Sequence, residues 1–282
     1  MPRNPHLAVV GSINLDLVAR VHHLPRPGET ITDAELSKVP GGKGANQAVA
    51  AARLGATVRF AGAVGDDELG SLAEEGLREA RVDLSGVQVV ASATGIALIL
   101  VDDEGENQIV VVPGANHALD PGRIEVGDTD ALVCQLEITD DAIRAALAQT
   151  DVFFCLNAAP AREVSEDILQ RADVIVANSF ELDALGSSPL GALFALTLGA
   201  EGAVLMDDGE EVARAMPPKV DGVDGTAAGD AFTACLVVSL LEGRDREEAL
   251  RRACAAGAIA ASRPGAQPSL PTAAEVDEIL RG

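Results

Sequence analysis

The chain has 282 residues, 48% hydrophobic and only 2% aromatic, and 44 acidic against 21 basic side chains give it a formal charge of −23. Nucleic acid and anionic membrane both need a basic face, so neither is an expected partner. No apolar run approaches the ~20 residues needed to span a bilayer, and the first residues enter a strand-like run without a signal-peptide pattern, which predicts a cytoplasmic protein.

Residues 7–11 read as a short buried strand running into Gly11-Ser12-Ile13-Asn14-Leu15-Asp16. Polar groups that follow apolar ones in this way mark the carboxyl end of a strand, where open α/β sheets bind ligands. Asn14 and Asp16 suit bidentate hydrogen bonding to a polyol, although isolated residues of these types are also common turn formers. Residues 18–39 alternate irregularly around Pro25, Pro27 and Gly28, which predicts strands joined by turns. A loop, Gly41-Gly42-Lys43-Gly44-Ala45-Asn46-Gln47, then leads to a predicted helix over 48–55. This loop has neither the Walker A spacing nor the dinucleotide one. Its glycines let backbone approach a ligand, and Asn46 offers both a donor and an acceptor.

Residues 57–64 predict a strand, 65–67 a turn and 68–81 one amphipathic helix with Leu69, Leu72, Leu77 and Ala80 as its apolar stripe. Residues 94–101 and 108–112 predict a hairpin closed by 102–107. With 18–39 they form strands that no helix separates, so we expect a small sheet standing off the main one as a lid. From 130 onward the alternation is regular, with strands at 131–136, 152–156, 174–177 and 195–198 and helices at 139–148 and 163–170. Polar residues recur at the strand ends, as in Gln135-Leu136-Glu137, Asn157 and Asn178-Ser179-Phe180-Glu181, which predicts a doubly wound sheet with one crevice.

Asp224-Gly225-Thr226-Ala227-Ala228-Gly229-Asp230 precedes an apolar run over 231–241, so a small-residue loop turns into a helix there. Unpaired N–H groups and the positive dipole end make such a turn an anion site. Asp230 at the helix start is placed either to take a proton from a group attacking that anion or to serve as an ordinary cap. Residues 247–261 predict another helix, 263–269 an irregular loop and the last residues a short helix. Cys134, Cys155, Cys235 and Cys254 lie far apart in apolar surroundings and read as reduced core thiols. The four histidines lack metal-ligand spacing.

Three stretches taken together, 11–16, 41–50 and 224–230, resemble the ribokinase (PfkB) family of sugar kinases. The likeness extends through Thr94-Gly95-Ile96-Ala97-Leu98-Ile99, Gly105-Glu106-Asn107, Pro113-Gly114-Ala115-Asn116, Gln135-Leu136-Glu137, Asn157-Ala158-Ala159-Pro160-Ala161 and Gly265-Ala266-Gln267-Pro268-Ser269, and so covers essentially the whole chain. It implies a ribokinase-like α/β fold in one domain over 1–282. A central, mostly parallel sheet is flanked by helices, and residues 16–40 and 94–113 build a β lid through which two copies pair as a homodimer.

The activity implied is ATP-dependent phosphorylation of D-ribose at its 5-hydroxyl. Asn14, Asp16, Gly42, Lys43, Gly44, Ala45, Asn46 and Glu137 would line the sugar site, with Asp230 as the base and the backbone of Ala227, Ala228 and Gly229 as the anion hole. Asn178 and Glu181 would organise the phosphates, and Mg²⁺ through water. Thr197, Leu198, Gly199, Ala200, Glu201 and Gly202 would line the ATP site beside Gly229 and Asp230, with Cys254 where a polar adenine neighbour is common. K⁺ would lie behind the anion hole, held by Asp224, Ser269 and the carbonyls of Thr226, Ala260, Arg263 and Gly265.

Besides Cys254, the sequence departs from the family pattern in three places. Gly225 follows the cation-site Asp, Phe180 interrupts the usual Asn-x-Thr-Glu, and 182–196 is short where a further helix and strand are usual. Another sugar or nucleoside kinase of the family is the alternative activity. The short segment motivates an alternative of another class, a sugar-binding protein with impaired catalysis. A nicotinamide oxidoreductase lacks its glycine fingerprint here and is set aside.

Overall fold

The computed structural model describes residues 4–186 and 191–281. Its first half contains β1 (His6–Val10), β2 (Asn14–Arg20), β3 (Glu35–Gly41), α1 (Lys43–Arg53), β4 (Thr57–Gly65), α2 (Glu68–Ala73), α3 (Glu75–Glu79), β5 (Asp83–Val90), β6 (Gly95–Val101) and β7 (Asn107–Val112). The second half continues with β8 (Ala131–Gln135), α4 (Asp140–Leu147), β9 (Phe153–Asn157), α5 (Glu166–Arg171), β10 (Val174–Asn178), α6 (Ser179–Ala184) and β11 (Leu193–Thr197). β12 (Ala203–Asp207), β13 (Glu210–Ala215), α7 (Ala228–Leu241), α8 (Arg246–Ala261) and α9 (Ala273–Arg281) complete it.

A nine-stranded sheet runs β13-β12-β11-β10-β9-β8-β1-β4-β5. All neighbours pair in parallel except the β11–β12 and β12–β13 pairs, which are antiparallel. Strands buried on both faces read as continuous apolar runs, as β1 does. Leu7 and Val9 enter one core with α1, α7 and α8, while Ala8 and Val10 enter the other with α4 and α5. From β1 the chain builds outward to β4 and β5, and from β8 it builds the other way. The crevice at the carboxyl ends of β1 and β8 is therefore the switch point where such sheets bind ligands.

The second sheet, β3-β2-β6-β7, is the predicted lid. It is mixed: β2 pairs with β6 in parallel, and the other two pairs are antiparallel. Alternation divides its faces, with Asp16, Ala97 and Val111 in one row and Leu17, Leu98 and Val110 in the next.

Several expectations are corrected. The helix expected over 68–81 breaks at Glu74 into α2 and α3. Gly70 and Gly76 weaken it, and both are closely packed: a Cβ on Gly70 would lie 3.1 Å from the Gly65 carbonyl, and one on Gly76 would run into the end of the Gln267 side chain. Residues 41–47 are not a loop throughout, because α1 already starts at Lys43, with Gly42 as its cap at φ 89°. Likewise α7 starts at Ala228 and not at 231. β5, β12 and β13 were not expected from the sequence. The segment 182–196 holds the end of α6 and most of β11, and residues 187–190 within it lie outside the described ones. No described helix is long and apolar enough to cross a membrane.

Candidate active site

A cavity of about 980 Å³ opens between the lid and the carboxyl ends of the central strands. Each strand end contributes to its wall: Asn14 and Asp16 follow β1, Glu137 follows β8, Asn157 ends β9, Asn178 ends β10 and Thr197 ends β11. The lid closes the opposite side with Ala97, Ile99, Asn107, Ile109 and Val111.

Because α1 starts at Lys43, residues 43, 46 and 47 fall on one helical face and meet the start of α7. Asn46 Nδ2 donates to Asp230 Oδ2 at 3.0 Å, and Gln47 Nε2 donates to Asp230 Oδ1 at 2.9 Å. Glu137 Oε2 accepts from the Lys43 N–H at 3.0 Å and from Ser12 Oγ at 2.5 Å. Asn14 Oδ1 accepts from Asn116 Nδ2 at 2.7 Å, and Asn116 Oδ1 accepts from the Ile13 N–H at 2.9 Å, so Asn116 fixes the β1–β2 turn. The Asn46 Oδ1 is buried with no partner among the described residues, an acceptor that a ligand hydroxyl would satisfy.

Gly44 and Ala45 do not line the cavity. They seat α1 on the β1–β2 turn, where the Gly44 N–H donates to Ser12 Oγ at 3.2 Å and the Ala45 N–H to the Ser12 carbonyl at 2.9 Å. A Cβ on Gly44 would lie 2.5 Å from the Ser12 nitrogen, so only glycine fits.

The charges at the site are arranged against solvation. Burial pushes Asp16 up to about 7, with Glu137 and Asp230 adding repulsion. Burial likewise pushes Asp230 above the usual carboxylate range, held back first by Lys43 and then by the amides of Asn46 and Gln47. Glu181 is raised by burial too, opposed by the Asn178 N–H and Lys43. Burial draws the Lys43 ammonium down, but Asp230, Glu137 and Glu181 outweigh it and hold its pKa above the ordinary lysine range.

At the anion end, Ala227 adopts the left-handed region at φ 61° and caps α7. Among the described residues the N–H groups of Ala227, Gly229 and Asp230 make no hydrogen bond, whereas that of Ala228 turns back to the Gly225 carbonyl at 3.2 Å. Of the three N–H groups expected to form an anion hole, those of Ala227 and Gly229 are unpaired among the described residues and that of Ala228 is not. Asn178 and Glu181 form a reciprocal cap on α6, Asn178 Oδ1 accepting at 2.9 Å and Glu181 Oε2 at 2.8 Å. Both residues line the cavity, and among the described residues Asn178 Nδ2 and Glu181 Oε1 make no hydrogen bond.

Leu198, Gly199, Ala200, Glu201 and Gly202 form the β11–β12 turn and lie outside the cavity lining. Cys254 is not brought to the cavity either: it is buried on α8 with its thiol on the Ala215 carbonyl. Behind α7, Asp224 accepts from the Thr226 hydroxyl at 2.6 Å, the Thr226 N–H at 2.9 Å and the Gly265 N–H at 2.9 Å. Burial works against its charge, but these donors hold its carboxyl below the usual range. Ala260 lies in the last turn of the neighbouring α8 and Arg263 just beyond its cap, and Ser269 Oγ donates to the Ala266 carbonyl, which leaves its oxygen lone pairs open. Among the described residues no group of three His, Cys, Asp or Glu side chains is placed to hold a metal.

Gln47, Asn116, Asn157, Gln135 and Ser12 complete the site and were not singled out as ligands or catalysts from the sequence. Gln47 was within reach: one helical turn beyond Lys43 brings residues 46 and 47 to the same face. Ser12 and Gln135 act through other side chains, and no sequence spacing signals that.

A family model described as pfkB family carbohydrate kinase matches residues 4–273. The ribokinase of Haemophilus influenzae is 35% identical over 301 aligned positions, which cover 97% of this chain and 98% of that one. The alignment is longer than the 282 residues here, so that relative carries segments this chain lacks. Among solved structures, a ribokinase from Thermotoga maritima matches with a TM-score of 0.89 at 34% identity, covering 99% of this chain and 100% of that one. Arabidopsis thaliana ribokinase, complexed with ribose and ATP, matches with a TM-score of 0.87 at 30% identity and covers 99% and 100% of the two chains. The match spans the nine-stranded sheet, the lid and the cavity between them, and the chain belongs to the pfkB family of carbohydrate kinases.

Proposed function

We propose that the chain transfers the γ-phosphoryl group of ATP to the 5-hydroxyl of D-ribose, giving ribose 5-phosphate and ADP. The observation that carries this reading is Asp230: a buried carboxylate on the cavity wall, held by two amides, beside unpaired N–H groups at the start of α7. The names of the similar proteins, and the ribose and ATP of the Arabidopsis complex, support the substrates.

Sugar hydroxyls donate to Asp16, to the free oxygen of Glu137 and to Asn46 Oδ1, while Lys43 balances the carboxylates. Asp230 takes the proton of the 5-hydroxyl as that oxygen attacks the γ-phosphorus in line. The N–H groups of Ala227, Gly229 and Asp230 hold the charge of the transferring group. Asn178 and Glu181 border the phosphates, and Glu181 would hold Mg²⁺ through water, where the ion would supply positive charge for the transferring group. The all-oxygen donors around Asp224, with one formal negative charge, suit a hard monovalent cation such as K⁺, whose charge would steady the loop before α7. Thr197 and the β11–β12 turn border the nucleotide.

On this reading the described residues act as one domain. The outer lid face, with Leu36, Leu98, Val110 and Val112 exposed, pairs with a second copy. Four buried free thiols suit a reducing cytoplasm. ADP release measured over ribose, 2-deoxyribose, hexoses and nucleosides, with and without K⁺, tests the assignment. Ribose is expected to be turned over best and K⁺ to activate; preference for a nucleoside, or no ADP with any sugar, contradicts it.

A further inference from the structure

The amide of Gln47 is fully used. Its Nε2 donates to Asp230 Oδ1 and to Asn157 Oδ1, both at 2.9 Å, and its Oε1 accepts from Gln135 Nε2 at 2.6 Å. Asn157 in turn donates through Nδ2 to the Val176 carbonyl at 3.3 Å. Gln47, Gln135 and Asn157 are all buried. An ionised carboxylate only accepts, so Asp230 dictates which end of Gln47 faces it, and Gln47 dictates the orientation of the other two amides. Asn46 is different: its Nδ2 serves Asp230 Oδ2, but its own oxygen has no partner among the described residues.

We propose that Gln47 is a positioning residue, and that the Gln135–Gln47–Asn157 amide chain fixes Asp230 Oδ1 as an acceptor and reserves Oδ2 for the proton of the substrate. The proposal rests on the reading of Asp230 as the base. Placing a proton on Oδ1 toward Gln47 requires that amide to turn over, which breaks its bond to Asn157 and keeps the one to Gln135 only if Gln135 turns over as well, onto its own buried, unpartnered oxygen. Asn46 turns over at the loss of a single bond and then accepts from a protonated Oδ2. In the transfer the hydroxyl O–H bond breaks as the O–P bond forms. The proton goes to Oδ2, the bond from phosphorus to the leaving oxygen breaks toward ADP, and the proton returns to solvent when products leave.

The charged groups that face Asp230 are Lys43 on α1, Asp16 on β2, Glu137 after β8 and Glu181 on α6, and none is altered by the test. Gln47→Met and Gln135→Met are compared with the wild type for kcat, KM, the pH profile of kcat, melting temperature and ribose binding by calorimetry. Gln47→Met is expected to lower kcat by about 10–100-fold, the worth of one hydrogen bond to a charged group. Its ribose KM stays within about threefold, and the acid limb of kcat moves up by about one pH unit. Gln135→Met, which acts only through Gln47, moves both quantities the same way by less, and carries the test if Gln47→Met does not fold. An acid limb that stays in place in an active, folded variant overturns the proposal, as does a loss confined to KM or to melting temperature. A wild type with no sugar kinase activity overturns the underlying reading as well, so the two failures are distinguishable.

Discussion

Asp16 makes the apo protein less stable as pH rises, and Asp16→Asn should relieve this. Its pKa stands at about 7 against the ordinary 3.8, chiefly from burial and then from Glu137 and Asp230. Below pH 3.8 both folded and unfolded chains hold the proton. Between 3.8 and 7 the folded chain retains it while the unfolded chain has released it, so stability falls through that window and stays lowered above it. A rise of about three pH units at 1.36 kcal/mol each amounts to about 4 kcal/mol. Asparagine keeps the shape without the charge and also relieves Glu137 and Asp230 of a neighbour's repulsion. Melting followed by circular dichroism from pH 4 to 8, without sugar, should show the two proteins converging at acid pH. By pH 8 the variant should melt higher by about 8 °C, at ~2 °C per kcal/mol for a chain of this size. In calorimetry, ribose affinity of the wild type should rise with pH through about 7, and that of Asp16→Asn should be flat and ~10–100-fold weaker for lack of a charged acceptor. Parallel melting curves across the whole range would refute the reasoning.

Gly44→Ala places a Cβ 2.5 Å from the Ser12 nitrogen and 2.7 Å from Gly11 backbone atoms; α1 must shift, at about 1–3 kcal/mol. Lower melting temperature together with weaker ribose binding is expected, and unchanged values of both would contradict the close seating of α1. Asp224→Ala removes the acceptor shared by Thr226 and Gly265. Activity of this variant should no longer respond to K⁺ while ribose binding stays within about threefold, since only the cation's carboxylate is lost; retained K⁺ activation would refute the cation assignment. Val110→Asp puts a charge on the exposed outer face of the lid, so sedimentation should show dimers for the wild type and monomers for the variant. A monomeric wild type would remove the lid interface.

The strand-end polar residues were legible because parallel strands buried on both faces announce themselves as apolar runs, and whatever follows such a run faces the crevice. Asn14, Asp16, Glu137, Asn157 and Asn178 all meet at the cavity for that reason. The edge strands were harder to see. β5 is half exposed and interrupted by Gly86, and β13 is rich in charge, as suits an edge that must not pair with other chains. The turn between β12 and β13 did carry a signal, since Asp208 and Gly209 both have positive φ, at 48° and 83°, in the manner of a tight hairpin. The start of α1 was hidden because Gly42 and Gly44 suggest a loop, whereas one caps the helix and the other lets it approach Ser12. Ala228, Gly44 and Ala45 lay in the right motifs, but which N–H or Cβ faces a ligand depends on rotations about the backbone that spacing does not encode. The amide chain behind Asp230 joins residues 88 and more positions apart and had no local signature.

Transfer of phosphate to ribose with Asp230 as base is tested most directly by ADP release from the wild type and Asp230→Asn, with ribose binding measured on both by calorimetry. Asparagine there keeps the size of the side chain and loses the ability to take the proton, so turnover should fall by about 10²–10⁴ while ribose still binds within an order of magnitude. Near-normal turnover in Asp230→Asn would contradict the account.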